Sequence, residues 1–470
     1  MQEAGAGIKK VTSAVDARQI AARLDRLPAT RTIWTLVALL SLGGFFEYYD
    51  LFFTGYIAPG LVRSHILTAT TRGLFGTTGI ASFAAAMFSG LFIGTALFGV
   101  LADRFGRRSI FTVSLVWYTA ATVIMAFQNH VFGLNLWRFI AGIGVGVELV
   151  TIDTYVSELV PRAVRGRAFA FNQSIQFSAV PVVALLAWRL VPIAPLSLDG
   201  WRWVVLIGAA SAILVWWIRL RVPESPRWLA QHGRLDEAER VLAALEASIA
   251  AETGRSLPDP VPAAQQPTQG RFREIWRAPY LRRTVMLSIF NLFQTVGFYG
   301  FSNWVPTLLI ERGIEFTSSL EYTFLIAIAA PFGPLAAASI ADKLERKWQI
   351  VMAAFGVGLS GLLFARMSLA PLLILLGVLL TLSNNIMSSS LHAYQAELYP
   401  TRVRALAIGF VYSWSRLSVV FSSFVIGFFL ERFGVTGVFG FIAASMLIVM
   451  LSVGLFGPRT KNMPLEAISR

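Results

Sequence analysis

GTALFGVLADRFGRRSIF, Gly94 to Phe111, decides how this chain is read. It joins two long apolar runs and packs Asp103, Arg104, Arg107 and Arg108 into six residues. A short basic loop between two membrane spans stays in the cytoplasm, because Lys and Arg fix orientation. Gly94 and Gly99 let the preceding helix approach a neighbour closely. Asp103 follows that helix, within reach of a helix N-terminus or an Arg. The pattern returns in GPLAAASIADKLERK, Gly333 to Lys347, which carries Asp342, Lys343, Arg346 and Lys347. Gly94 to Gly333 and Asp103 to Asp342 are both shifts of 239 residues. YVSELVPRAVRGRA and YQAELYPTRVRALA keep the same shift, aligning Glu158 with Glu397 and Arg165 with Arg404.

The chain therefore reads as a duplicated membrane protein. Of its 470 residues, 56% are hydrophobic and only 14% charged, whereas a soluble protein carries about a quarter charged residues. The apolar runs have about the 20 residues a helix needs to cross a bilayer. The net charge of +14 does not point to nucleic acid, since the arginines gather in the inner loops. The absence of Cys excludes disulfides and thiolate metal sites. The first 30 residues are polar, with no cleavable signal peptide, so the N-terminus is expected in the cytoplasm.

Spans are expected at about 33–60, 75–101, 109–128, 133–156, 168–191, 202–220, 284–309, 320–341, 349–367, 370–396, 405–430 and 434–457. With the basic loops inside, both termini are cytoplasmic. The expected fold is an all-α integral membrane protein: twelve transmembrane helices in two six-helix bundles, 32–220 and 283–457, related by a parallel repeat. Many secondary transporters place their substrate at mid-membrane between such halves. Cytoplasmic segments fill 1–31, 221–282 and 458–470. AVDARQIAARLDRLP has helical spacing and is expected on the membrane surface before Pro28. In the central segment, Leu235, Ala238, Leu242, Leu245 and Ile249 share one helical face, and Phe272, Ile275 and Trp276 mark a second amphipathic helix.

These residues resemble the major facilitator superfamily. GVLADRFGRRSIF is similar to its signature between spans two and three, and WRFIAGIGVG, Trp137 to Gly146, to its fourth-span arginine and glycine pattern. VPESPRWL, Val222 to Leu229, is similar to the signature after span six in the sugar-porter-like branch. ELVPRAVRGRA and ELYPTRVRALA resemble the paired signatures after spans four and ten. The resemblance implies alternating access and a cytoplasmic gate. Its members here are Asp103, Arg107, Glu158, Arg165, Glu224 and Arg227, with Asp342, Arg346, Glu397 and Arg404 in the second half. It also implies a structural role for Arg138. The branch includes organic-ion, aromatic-acid and niacin transporters. Sugar porters usually carry two adjacent glutamines in span seven, where this chain has Gln294 alone in FNLFQTVGFYGFSNW. The first span, FFEYYDLFFTGY, looks closer to the aromatic-acid and niacin transporters.

Ionisable groups inside apolar spans are costly and mark function. Glu47, Asp50 and Thr54 lie on one face of span one. Two carboxylates so close cannot both ionise cheaply, which suits proton coupling; the alternative is a structural carboxylate paired to an Arg of another span. Glu148 of span four is weighed equally between coupling and pairing. Asp153 and Glu158 are expected in the inner Arg network. Gln173 and Gln176, beside Asn172, are neutral donors and acceptors for substrate or for helix packing. So are Asn291, Gln294, Tyr299 and Asn303 of span seven, and Asn384 of span ten. His392 is read as a helix contact near the cytoplasmic end, with a proton relay as the alternative. Arg416 sits about 18 Å into span eleven, where a permanent charge needs a partner. If that partner is the substrate, the substrate is an anion, and Tyr412 one turn earlier faces its ring.

No metal cluster, phosphate loop, nucleophilic triad or cofactor motif is present, which argues against an enzyme. The reading is proton-coupled uptake of a small organic anion, foremost an aromatic monocarboxylate such as nicotinate, by a monomer in the inner membrane. Its partners are that substrate, protons and the lipid bilayer, with no nucleic acid. The rivals are a sugar or polyol symporter, an organic-cation carrier, and a nutrient receptor with a transporter fold.

Overall fold

The computed structural model describes residues 18–68, 71–73, 78–210, 214, 217, 218, 221–260, 270–340 and 343–460. These are overwhelmingly helical, as a chain that must satisfy every backbone group inside a bilayer has to be. A short helix α1 (18–25) precedes α2 (Arg31–Arg63), α3 (Gly79–Phe105), α4 (Arg107–Ala126) and α5 (Val131–Leu159). The fifth span is α6 (Arg165–Phe177) and α7 (Ala179–Leu190), and α8 (Gly200–Ala209) opens the sixth. Helices α9 (Pro226–Gln231) and α10 (Leu235–Thr253) follow between the two sets of spans. The second half holds α11 (Tyr280–Ser302), α12 (Val305–Glu311), α13 (Phe316–Ala327), α14 (Phe332–Ile340), α15 (Arg346–Phe364), α16 (Ala370–Glu397) and α17 (Thr401–Phe456).

Among the described residues nine helices are long and apolar enough to cross a membrane. The last of them, α17, contains two spans joined at Gly434, whose φ of 63° and ψ of −165° break the helix. With α3 and the start of the sixth span at α8, the twelve expected spans are accounted for.

Three spans read as continuous in the sequence are broken, and proline explains each. A proline removes one helical hydrogen bond and its ring clashes with the carbonyl four residues earlier. Pro181, Pro306 and Pro331 stand four residues after Phe177, Ser302 and Ala327, where α6, α11 and α13 end. Carbonyls near these breaks find side-chain donors. The Ser319 hydroxyl donates to the Pro306 oxygen at 2.7 Å, Ser174 to Pro331 at 2.8 Å, and the Asn385 amide to Ala330 at 2.8 Å.

The 239-residue repeat survives as geometry. Arg107 pairs with Glu158 at 2.9 Å, and Arg346 with Glu397 at 2.7 Å. Arg165 donates to the Val160 carbonyl at 3.3 Å, and Arg404 to the equivalent Tyr399 carbonyl at 3.1 Å. Tyr155 donates to the carbonyl of Pro223, and Tyr394 to that of Pro458. Spans two and four pack backbone to backbone. A Cβ on Gly94 would lie 2.1 Å from the Ile143 oxygen, and one on Gly146 2.3 Å from the Leu91 oxygen. The side chain of Gly99's segment, 96–103, lies outside the described residues, and so do Asp103's carboxylate and Asp342.

The end of the molecule that holds α10 carries a small core of its own. Leu242, Leu245 and Ile249 of α10 bury against Ile20, Leu24 and Leu27 of the N-terminal segment and Ile33 and Leu36 of α2. The apolar face expected on the membrane surface is thus covered by α10. Arg23 clasps Glu246 at 2.6 Å and Glu239 at 2.7 Å, and Asp25 pairs with Arg227 at 2.6 Å and Arg165 at 3.5 Å. Glu224 accepts the backbone N–H groups of Arg107 and Arg108 at 3.1 and 3.2 Å. Burial pushes the Glu224 carboxyl up, against the N–H donors of Ser225, Arg108 and Arg107 that pull it down. Gly106, at φ 94°, makes that approach possible, since a Cβ there would fall 2.5 Å from Glu224 Oε2. Its counterpart Glu345 is an ordinary residue at φ −58°.

This arrangement fixes a topology test. The chain has no Cys, so single probes report cleanly. Ala243→Cys on the exposed face of α10 is expected to react with an impermeant maleimide only in inside-out vesicles, and Glu311→Cys only in right-side-out ones. Reaction of both from one side overturns the orientation.

Candidate functional site

Asp50, Arg138, Thr54 and Thr122 form the polar centre of the first half. Arg138 is fully buried and donates to Asp50 Oδ2 at 2.8 Å and to the Thr54 hydroxyl at 2.6 Å. Thr122 donates to Asp50 Oδ1 at 2.9 Å. The guanidinium lies 4.2 Å from the Phe53 ring centre, an attraction that is strongest away from water. Asp50 therefore takes the paired alternative of the sequence reading. Thr122, on span three, was not among the sequence candidates: a lone Thr in an apolar run gives no signal without its partner.

Two other carboxylates in this half are differently placed. Glu148 is buried, and among the described residues neither of its oxygens has a hydrogen-bond donor. Glu47 is 1% exposed and its Oε1 has no partner. Burying an ion without a partner is costly, so these two carboxyls stand apart from the paired Asp50.

Arg416 is 6% exposed and faces span one across the interface between the halves. Tyr412 Oη lies 3.3 Å from its Nη2, and the guanidinium sits 4.9 Å from the Tyr412 ring centre. Its Nε is buried without a partner. Tyr299, Tyr48 and Glu47 lie within electrostatic reach, as does Asp153. Among the described residues no carboxylate comes within ion-pair distance of Arg416.

Asp153 departs from expectation. It is exposed although the neighbouring turns of α5 are largely buried. The Asn172 amide approaches it at 3.4 Å, and His392 and Arg416 are near it. It belongs to this cavity and not to the inner Arg network, because its turn of α5 points at spans five and ten. Glu158, five residues on, does join that network through Arg107. His392 is a helix contact as expected, with Nδ1 2.7 Å from the Ser388 carbonyl oxygen.

The amides divide between packing and the cavity. Gln176 sits 3.5 Å from Asn172, in a notch left by Gly44, where a Cβ would fall 2.4 Å from its Nε2. Gln173 accepts from Ser389 across the halves at 3.1 Å. Asn384 donates to the Gly297 carbonyl at 3.2 Å, and Asn291 to that of Leu287 at 2.9 Å, each leaving a buried carbonyl oxygen unpartnered. Gln294 is buried one turn beyond Asn291. Tyr299 packs on Phe88 and Phe298, with ring centres 5.1 and 4.9 Å apart.

At the end of the spans away from α10 the two halves touch. Phe52, Phe177 and Phe298 meet edge to face above Glu47 and Arg416, at 6.3 and 5.9 Å. Trp188 stacks on Phe324 at 5.6 Å, and Thr78 donates to Glu431 at 3.2 Å. Gly55 is the tightest point: a Cβ there would lie 2.0 Å from the Asn303 carbonyl oxygen. Gly55→Leu is expected to oppose this closure. Overpacking of about 1–3 kcal/mol corresponds to a roughly 5- to 150-fold shift toward the outward-open form. Spin-label distances across the outer ends read that shift, and unchanged distances refute it.

Comparison with known proteins agrees with this architecture. The sugar (and other) transporter family profile matches residues 36–470. The putative metabolite transport protein YyaJ of Bacillus subtilis is 32% identical over 445 residues, covering 93% of this chain and 95% of that protein. The niacin transporter NiaP of Acinetobacter baylyi is 29% identical over 453 residues, covering 96% and 99%. The partially occluded inward-open structure of the xylose transporter XylE from E. coli superposes with a TM-score of 0.71 at 20% identity, over 93% of this chain and 100% of that one. Two parallel six-helix halves, a duplicated Arg–Glu loop pair and a family match over nearly the whole chain lead to one assignment: the chain belongs to the sugar (and other) transporter family of the major facilitator superfamily, and is a membrane transporter, not an enzyme.

Proposed function

We propose that this transporter takes up a small organic anion, foremost an aromatic monocarboxylate such as nicotinate, in symport with protons. The observation that carries the reading is Arg416: a buried guanidinium between the halves, with a partnerless Nε and a tyrosine against its face. An Arg so placed can fork onto a carboxylate, while Tyr412 and Tyr299 offer ring faces to an aromatic acid. Relatives named as niacin transporters support this choice, at 29% and 27% identity. Glu47, Asp50 and Glu148 form the coupling set. Glu47 is its foremost member, being the carboxylate shared between the Asp50 group and Arg416. The protein works as a monomer in the inner membrane with both termini in the cytoplasm. Arg107, Glu158, Arg165, Glu224 and Arg227 gate the inner side, with Arg346, Glu397 and Arg404 opposite them and Asp103 and Asp342 completing the two loops.

A sugar or polyol is the second reading. It is favoured by the unpartnered amide oxygens of Asn291 and Asn384, and by the likeness to a proton:xylose symporter at TM-score 0.69. Uptake into proteoliposomes separates the two. Labelled nicotinate and benzoate are expected to accumulate on an inside-alkaline gradient, with xylose and inositol excluded. Accumulation of the sugars alone overturns the anion reading.

A further inference from the structure

We propose that the groove between α10 and the cytoplasmic ends of the first and sixth spans binds an anionic phospholipid of the inner leaflet. The groove encloses about 690 Å³, and Arg31, Arg221 and Arg240 line it from three elements. Its apolar wall includes Leu36, Leu39 and Leu245. Glu252, a carboxylate on the same lining, leaves the three arginines a net charge of +2. It accepts the N–H of Arg31 at 2.5 Å, the N–H of Thr32 at 3.0 Å and the Thr32 hydroxyl at 2.8 Å. Its charge is thus committed to the N-terminus of α2. Among the described residues none of the three arginines pairs with a carboxylate. Arg240 donates to the Asp236 backbone carbonyl at 3.2 Å, and Arg221 lies 4.9 Å from the centre of the Trp217 ring.

Topogenesis alone does not explain this cluster. Arg31 and Arg221 flank spans and help to orient them. Arg240 lies on a cytoplasmic helix after the sixth span, and orientation does not require it to face the other two. The depth of the groove selects a lipid over a free anion. Leu36 and Leu39 follow Arg31 by five and eight residues, about 8 and 12 Å further along the helix axis. That is the offset between a phosphate at the interface and the start of its acyl chains. Inorganic phosphate would satisfy the arginines and make no use of Leu39, the part-exposed leucine of this wall.

Native mass spectrometry of the full-length protein tests the proposal. The probes are phosphatidylglycerol, phosphatidylcholine with the same acyl chains, and glycerol 1-phosphate as the headgroup alone. One phosphatidylglycerol is expected to remain bound where phosphatidylcholine does not. An arginine near an anionic lipid surface is worth about fivefold in binding, so Arg31→Gln/Arg221→Gln/Arg240→Gln together should weaken retention on the order of 100-fold. Arg240→Gln alone, on the exposed face of α10, should cost about fivefold without touching the membrane helices. Arg277→Gln, an exposed arginine elsewhere, should leave retention unchanged. Equal retention of both lipids, or full retention by the triple variant, refutes the site. Displacement by glycerol 1-phosphate at the lipid's own affinity makes it a free-anion site and refutes the lipid assignment.

Discussion

Arg416→Gln is expected to weaken binding of an aromatic monocarboxylate by roughly 30-fold or more. Losing one member of a desolvated charge pair costs about 2–5 kcal/mol, and 1.4 kcal/mol is tenfold. The local geometry supports the upper part of that range. The guanidinium is 6% exposed and meets tyrosine hydroxyls, that of Tyr412 at 3.3 Å and that of Tyr299 beside it, so little water competes with an incoming carboxylate. The neutral amide analogue of the acid separates recognition from architecture. On the native protein the amide should bind more weakly than the acid; on the variant the two should bind alike. Arg416→Lys keeps the charge but loses the planar fork, and is expected to fall between. Isothermal titration with both ligands measures the differences. If Arg416→Gln weakens acid and amide by the same factor, the arginine is architectural and the anion reading loses its main support.

Much of this was legible in the sequence, for a physical reason. Membrane spans must be apolar over a fixed length, and basic loops fix their sides. The duplication repeats charged residues at a constant shift, so Arg107–Glu158 and Arg346–Glu397 were visible as two copies of one pattern. What the sequence hid were contacts between spans. Arg138 and Asp50 are 88 residues apart and Thr122 is 72 from Asp50, and helical periodicity does not say which buried faces meet. Asp153 looked like part of the basic loop because Arg162 and Arg165 follow it closely. Its turn faces the cavity instead. The proline breaks were legible in principle, since each helix end stands four residues before its proline, but hydropathy alone runs through them. The N-terminal helix was read as amphipathic, and only the structure shows α10 on its apolar face.

The three buried carboxylates of the first half are expected to separate by experiment into a fixed partner and a carrier. Asp50→Asn removes the charge facing Arg138. Breaking one side of a buried pair leaves the other ion uncompensated, at about 3–5 kcal/mol; an Asn still accepts from Arg138 through its one oxygen and can donate its NH2 to the Thr122 hydroxyl, which places the loss near the lower end. A fall in melting temperature is therefore expected for this variant. Glu47→Gln replaces a carboxyl with an unpartnered Oε1 by a neutral amide of the same shape. It should leave stability nearly unchanged and abolish accumulation on a pH gradient, while exchange of internal for external substrate survives. Exchange needs the site and the rocking of the halves but no net proton movement, so it isolates coupling from binding. Glu148→Gln is the control for proximity: it too is buried and unpaired, but Arg416 is not among the charged neighbours that act on it. If Glu47→Gln still concentrates substrate on a pH gradient and Glu148→Gln does not, the carrier is Glu148. If both retain accumulation and Asp50→Asn loses it with exchange intact, the proton is carried by the Arg138-paired carboxylate, and the pair must open during each cycle.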